Sequence, residues 1–425
     1  MDPAAVEHGT GHGEAEGEGE AHTPPVRARF AVSGVFFLNG VILASWISRI
    51  PAVKSDLGLS EGRLGLALLG AAVGALLAMP TTGWLLPRVG SRTMTTVMIM
   101  ALAASLVLPA LATGAVTLAL ALAVVGATNG ALDVSMNAHG VVVERWYRRP
   151  ILTAFHGFWS LGGLAGAGLG GLIASREVDP LPHFVAVAVV GLPVAFLLTR
   201  GLLPAGVDRH APEEHGEKRP RTRVRYPLPI VVAGIMALAC LLAEGAMADW
   251  SAVYLEQDLG TGEGLAATGF AVFSLAMAVV RFLGDRLVLA WGPVAFVRVS
   301  GTLVALGLAT GLVASVPWLA IAGFATVGAG LAGIFPVVLS AAGRISGIAA
   351  GPALAFVSTL GYTGFLVGPP AIGLSADVVG LSVSLWGVVA LGGVIVLLAG
   401  SVRERPAPVP VPDRVARQTA GQRAG

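Results

Sequence analysis

Charge is scarce in this chain. Asp, Glu, Lys and Arg together make up 12% of its 425 residues, about half the share of a soluble domain. A soluble globular surface cannot be built from so little. Cysteine is nearly absent, with Cys240 the one example, so a disulfide scaffold is excluded. No Cys/His spacing suited to a metal and no nucleophile–base cluster occurs, so an enzyme is not expected. No Walker-type Gly-Lys-Ser/Thr motif occurs either, which removes the nucleotide site that ATP-driven pumping needs.

Apolar length is abundant. Hydrophobic residues reach 55%, and mean hydropathy is +0.79. Glycine occupies 58 positions without the three-residue period of collagen. These features describe a polytopic membrane protein. A spanning helix needs about 20 mostly apolar residues. Twelve such stretches occur: 30–49, 63–86, 92–112, 115–144, 151–174 and 183–200, then 228–254, 265–284, 294–314, 317–342, 350–375 and 381–400. Strands of a spanning barrel would be short and alternating, whereas these runs are continuously apolar. The expectation is an all-α membrane protein of 12 transmembrane helices.

Polar composition sets the domain limits. Residues 1–29, with Glu14, Glu16, Glu18 and Glu20 spaced by small residues, read as a disordered cytoplasmic tail. Residues 30–200 and 228–400 form two six-helix bundles. Residues 201–227, carrying Lys218, Arg219, Arg221, Arg223 and Arg225, read as a cytoplasmic linker. A Pro- and Arg-rich tail occupies 401–425. With both ends on one side, only Arg49, Lys54, Arg63 and Arg176 of the 27 Lys and Arg residues fall on the other. That bias places both ends inside the cell. The same count assigns every remaining Lys and Arg to the basic side, leaving none at the bilayer midplane.

The two bundles repeat. At an offset of 198 residues, Ser160, Gly163, Gly166 and Gly170 land on Ser358, Gly361, Gly364 and Gly368. At the same offset Pro87-Arg88 lands on Asp285-Arg286, and Ala127-Thr128-x-Gly130 lands on Ala325-Thr326-x-Gly328. Parallel six-helix repeats are an arrangement of secondary transporters, with the solute site near the midplane between them.

Several polar residues lie deep in the spans. Asn129, Asp133 and Asn137 stand four apart and share a stripe roughly 80° wide on span 4, with Glu144 at its cytoplasmic end. A carboxylate near the middle of a spanning helix costs about 2.5–3.5 kcal/mol. Asp133 is therefore either a proton- or cation-coupling acid and solute acceptor, or a packing residue satisfied by Asn and Ser neighbours. His156 on span 5 lies at the depth of Asn137 and is placed to meet it, either shuttling a proton or bridging the hairpin. His139, about 160° round from Asn137, reads as a packing residue. Glu244 on span 7 is deep enough to be a functional acid, with Asn39 of span 1 or a solute hydroxyl as its partner. Asp249 reads as a structural residue near the outer end, and Trp250 and Tyr254 as interfacial anchors. Arg49 stands at the outer mouth, where it either pairs with an acid or snorkels to solvent. Tyr362 on span 11 adds an aromatic hydroxyl. With no Lys or Arg at depth, this set suits a neutral hydroxylated solute and disfavours a strongly anionic one. Gly162, Gly166 and Gly170 allow close helix approach, and Pro369-Pro370 predict a kink in span 11.

The loop Gly83, Leu85, Pro87, Arg88, Gly90, Arg92 and its second copy Leu283-Gly284-Asp285-Arg286 resemble the signature of the major facilitator superfamily, with Pro87 in the place of the usual Asp. Asp133-Val-Ser-Met-Asn137, Phe155-His156-Gly157, Ala243-Glu244-Gly245 and Ala248-Asp249-Trp250-Ser251 look like a branch resembling the bacterial rhizopine-uptake membrane protein and, more distantly, the fucose permeases. The resemblance covers residues 30–400. It implies a monomeric carrier of the bacterial inner membrane, with spans 1, 4, 7 and 10 lining a central cavity. The partners are then a small-molecule solute and the lipid bilayer, with no nucleic acid. No cofactor is implied, and a proton gradient supplies the energy. The expected activity is proton symport of a small neutral or amino polyol, with drug export by proton antiport as the alternative. The Gly-Pro pair of span 5 in drug antiporters is Gly170-Gly171 here, which favours uptake.

In that family Arg88, Arg92, Asp285 and Arg286 would form a charge lock between helices on the cytoplasmic side. Pro87 removes the acid of the first copy, so the lock should be asymmetric. Asp285→Asn is therefore expected to slow solute flux at least several-fold, measured in transport-competent vesicles, while Pro87→Asp is not expected to do so.

Overall fold

The computed structural model describes residues 25–147, 151–204, 227–345 and 350–403. The side chain of Asp285 and most of the expected tails and linker lie outside the described residues. Every regular element among the described residues is helical. The first half holds α1 (Val26–Ile47), α2 (Ile50–Asp56), α3 (Glu61–Val89), α4 (Ser91–Ser105), α5 (Ala115–Tyr147), α6 (Leu152–Ala174) and α7 (Pro180–Thr199). The second holds α8 (Leu228–Val253), α9 (Glu263–Trp291), α10 (Pro293–Ala314), α11 (Pro317–Leu331), α12 (Ile334–Gly343), α13 (Ala350–Val379), α14 (Leu381–Ser384) and α15 (Trp386–Leu398).

Among the described residues, 11 helical segments are long and apolar enough to cross a membrane. The 30-residue α13 supplies the twelfth. The first span is α1 with α2, the tenth α11 with α12, and the last α14 with α15. Between α3 and α4 the chain turns on Gly90 (φ 86°), and between α9 and α10 on Gly292 (φ 77°). A side chain at either position would be strained.

The 198-residue repeat is visible in the packing. α6 lies on α1 because Gly162 and Gly166 present no side chain: a methyl at either would strike the carbonyl of Phe37 or Val41. In the second half α13 lies on α8 the same way, with Gly364 facing the Leu238 carbonyl. Small residues permit this close approach. α13 carries Pro369 and Pro370 without an interruption. Gly65 of α3 faces the Pro369 carbonyl, so small residues also bring the two halves together there.

Two spans expected to be continuous are divided. α1 gives way to α2 at Ser48–Arg49, just before Pro51. α11 gives way to α12 around Ala332–Gly333, just before Pro336. Proline withholds the N–H that would continue the ladder. In the second break the Leu331 carbonyl receives the Cys240 thiol at 3.8 Å. Trp250 and Tyr254, expected as interfacial anchors, are 0% and 1% exposed. Trp250 packs against α13 beside Gly373, and Tyr254 meets Phe324 edge-on at 6.3 Å. They are core residues of the outer third.

Polar contacts join the halves at the outer end. Arg49, 2% exposed, donates from Nη2 to the Val178 carbonyl at 2.7 Å. It pairs through Nη1 with Glu263 of α9 at 3.0 Å. Lys54 reaches Glu61 at 2.8 Å and also Gln257 of the second half. Asp377 at the end of α13 accepts the Gly62 N–H at 2.9 Å and the Ser60 hydroxyl at 3.1 Å, so it caps the N-terminus of α3 across the interface. These contacts tie the outer ends of the two halves together. At mid-depth the halves also meet, where Arg281 of α9 reaches Ser160 and the Trp159 ring of α6.

Each hydrogen bond to a charged group is worth about 1.5–3 kcal/mol. Asp377→Ala removes two of them and should shift the population toward an outer-open form by roughly tenfold or more. Distances between spin labels on the outer ends of α3 and α13 measure this: a new long-distance population is expected, and an unchanged distribution would contradict the clamp.

Candidate functional site

At mid-depth the structure brings together side chains from both halves. Asn39 of α1 lies about 20 Å from the start of its helix at 1.5 Å per residue. It is 1% exposed. Its Nδ2 donates to Asn129 Oδ1 at 2.9 Å, and its Oδ1 accepts from Trp159 Nε1 at 2.7 Å. Asn39 therefore joins α1, α5 and α6, and it is occupied by these two residues rather than by Glu244.

Glu244 has a different partner. Its Oε1 lies 3.4 Å from Arg281 Nη2, and both side chains are nearly buried. Arg281 also donates from Nη1 to Ser160 Oγ of α6 at 2.8 Å, and its guanidinium stands 5.7 Å from the centre of the Trp159 ring. This corrects two expectations. Arg281 is a cation at depth, and the argument against anionic ligands loses its premise. The cause is the length of α9, which runs on to Trp291 rather than stopping at 284. Arg281 is thereby about 15 Å inside the helix end. The extra turns, Arg286 to Trp291, are mostly apolar and continue the helical run, which is the signal that locates Arg281.

Asp133 sits near the middle of the 33-residue α5 and is partly buried. Its carboxylate receives Asn137 Nδ2 at 3.0 Å, and the same nitrogen reaches the Asp133 carbonyl at 2.9 Å. Asn137 is thus turned to its own helix. His156 faces α1 instead, edge-on to Phe36 with ring centres 5.2 Å apart, and stands within electrostatic reach of Arg281. The expected meeting of Asn137 with His156 is replaced by these two contacts. Tyr362 of α13, packed against Phe335 at 6.5 Å and Phe365 at 6.4 Å, feels the charges of both Asp133 and Glu244.

Other polar residues take structural duties. Glu144 Oε2 accepts the N–H groups of Ile151 and Leu152 at 2.7 and 2.8 Å. It caps the start of α6, a favourable place for a negative charge. His139 is 2% exposed. Its Nε2 accepts the Leu203 N–H at 3.1 Å and its Nδ1 lies 2.8 Å from Ser91 Oγ. An amide can only donate, so Nε2 carries no proton and the ring is neutral. Arg88 folds over Trp84, 4.1 Å from the ring centre, and donates to the Trp84 carbonyl at 2.6 Å. Arg92 and the exposed Arg286 complete the set on that face; the Asp285 side chain is outside the described residues.

Two related helical bundles, joined at their outer ends and sharing a polar cluster at mid-depth, define the architecture of a secondary carrier. The chain belongs to the Major Facilitator Superfamily, whose model matches residues 29–302 and 232–423. It is 33% identical over 387 residues to an MFS-type transporter of Yersinia pestis, covering 90% of this chain and 97% of that one. It is 34% identical over 385 residues to membrane protein MosC of Rhizobium meliloti, covering 89% and 91%. Among solved structures, a point mutant of the nucleoside transporter NupG superposes with a TM-score of 0.71 at 11% identity, over 89% of this chain and all of NupG. A bacterial homolog of the lysosomal transporter Spinster, in an inward-facing unoccupied conformation, gives 0.63 at 14% identity, over 92% of this chain and 100% of that one. The protein is a multi-pass membrane transporter.

Removing one partner of a buried ion pair costs about 3–5 kcal/mol, because the other charge is stranded. Arg281→Met is expected to lower the thermal unfolding midpoint in detergent markedly. Adding Glu244→Gln should recover most of that loss while solute binding stays impaired. Additive losses in the double variant would show that the two residues do not act as a pair.

Proposed function

We propose that this protein works by alternating access as a proton-coupled importer of a small hydroxylated solute, a neutral or amino polyol. The setting is the inner membrane of a bacterium, with the proton gradient as energy source and no cofactor, and the working unit is a monomer. The observation that carries this reading is the mid-depth cluster itself. Asp133, Asn129 and Asn39 come from one half, Glu244, Arg281 and Tyr362 from the other, below outer ends that are tied together. A solute held by both halves resists their separation and so couples binding to rocking of the bundles.

The amide, indole and hydroxyl groups of the cluster match the donors and acceptors of a polyol. Asp133 is suited to a proton or an ammonium group. The Lys and Arg bias of the sequence makes the basic side the cytoplasmic one. With the outer clamp closed, the cluster is reached from that side. A large apolar cation, as a drug exporter would carry, finds less in this polar network to favour it.

External pH over de-energised cells, with inositol-like polyols, amino polyols, hexoses and cationic dyes added in turn, tests the reading. Alkalinisation is expected with a polyol and should be lost in Asp133→Asn or Glu244→Gln. Energy-dependent loss of dye, with no response to any polyol or sugar, would replace uptake by export.

A further inference from the structure

Hydrogen bonds have a direction, and the chain Trp159–Asn39–Asn129 can run in only one. An indole N–H donates and cannot accept. Trp159 Nε1 lies 2.7 Å from the Asn39 side chain, so the atom that meets it is the oxygen, Oδ1. The amide nitrogen of Asn39 then points the other way, and the Asn129 atom at 2.9 Å from it is an acceptor, Oδ1. Asn39 is fully buried. Reversing its amide would set the indole N–H against an NH2 group, with no water to take either. The indole is brought to Asn39 by the next residue, Gly40, where a methyl group would strike the Trp159 carbonyl. Both asparagines are thus oriented from one end, by the one member of the chain that cannot exchange donor for acceptor.

The chain ends at Asn129. Its oxygen receives Asn39, and its Nδ2 carries two N–H groups that find no acceptor among the described residues. The residue is partly exposed, and its nitrogen is not one of the buried atoms left without a partner. It therefore opens on accessible space. One turn along the same face of α5, Asp133 spends one carboxylate oxygen on Asn137 and keeps the other as an acceptor. We propose that Trp159 is a positioning residue that commits Asn129 to meet the solute as a hydrogen-bond donor. The stripe on α5 then reads a donor and, one turn on, an acceptor. A solute group set against Asn129 must bring a lone pair, as a hydroxyl, ether or carbonyl oxygen does. An ammonium group is refused at that point, because donor would face donor, so an amine-bearing solute carries its nitrogen elsewhere. This rests on the polyol reading above for the ligand and adds which position of the site reads an oxygen.

The sequence contains three asparagines, Asn39, Asn129 and Asn137, so isotopic labelling of asparagine side-chain nitrogen in the full-length protein in nanodiscs gives three NH2 groups by NMR. Each is assigned by its single substitution to Asp. Without solute, the Asn129 protons are expected to exchange with water fastest, since Asn39 and Asn137 donate to Asn129 and Asp133. Trp159→Phe keeps an aromatic ring and removes the N–H, which lets the two amides reverse together. Exchange should then slow at Asn129 and quicken at Asn39, each by about twofold for two equally populated orientations. Faster exchange at both, as simple loosening would give, or no change at either, would overturn the proposal.

Inositol added to the wild type should slow exchange at Asn129. Its deoxyfluoro analogues accept without donating, and its deoxyamino analogues, when protonated, donate without accepting. At one ring carbon the affinity ratio of fluoro to amino analogue is expected to fall several-fold in Trp159→Phe, with no change of charge in the protein. Inositol that binds and leaves Asn129 exchange unchanged, or ratios equal in wild type and Trp159→Phe at every carbon, would overturn the proposal and keep the polyol reading. If inositol does not bind, the polyol reading falls alone, and the opposite exchange shifts of Asn39 and Asn129 still decide whether Asn129 is held as a donor.

Discussion

Placing a charged side chain in hydrocarbon is expensive, and the rest of this structure is arranged around that cost. The pair between Glu244 and Arg281 meets it by mutual neutralisation. It can form only because α9 is long enough to bring Arg281 to the level of Glu244 on α8. Ser160 and the Trp159 ring then anchor the guanidinium to the other half. Trp159 continues through Asn39 to Asn129. One chain of polar contacts thus runs from α8 and α9 across the interface to α5, on the helix that carries Asp133.

The outer clamp and the mid-depth cluster divide the work. Arg49 with Glu263, Lys54 with Gln257, and Asp377 with the start of α3 hold the halves together on one side. Each is a polar contact between short helix ends, strong enough to select a state and weak enough to break. The glycine-lined surfaces of α6 on α1 and α13 on α8 are within halves. They keep each bundle compact, and under the proposed alternating access each would move as a body. Arg49 reaches its partners where the first span breaks beside Pro51, so a local proline effect positions a contact between the halves.

Much of the fold was legible from composition and periodicity. Twelve apolar runs, the basic bias and the 198-residue repeat point to two related helical bundles. The contacts of Gly166 with α1 and Gly364 with α8 give that repeat its physical meaning. Helix ends were less legible. Ending the eighth span at 284 hid Arg281, since Asp285-Arg286 marks a basic face without marking the end of the helix. The breaks in the first and tenth spans were hidden in the same way, because apolar runs continue through them. Pairings between distant residues, such as Asp377 with Gly62, carry no local signature and appear only once the bundles are assembled. Trp250 and Tyr254 were misplaced because an aromatic near a helix end reads the same whether it faces lipid or a neighbouring helix.

The central claim is that the polar cluster lies on a path closed at the outer face and open to the basic one. A single cysteine tests it directly. Asn129→Cys in a Cys240→Ala background would be labelled by a membrane-impermeant maleimide applied from either side of sealed vesicles. Without solute, labelling from the basic face is predicted to be fast, and from the outer face slow. Fast labelling from the outer face with none from the basic face would contradict the account.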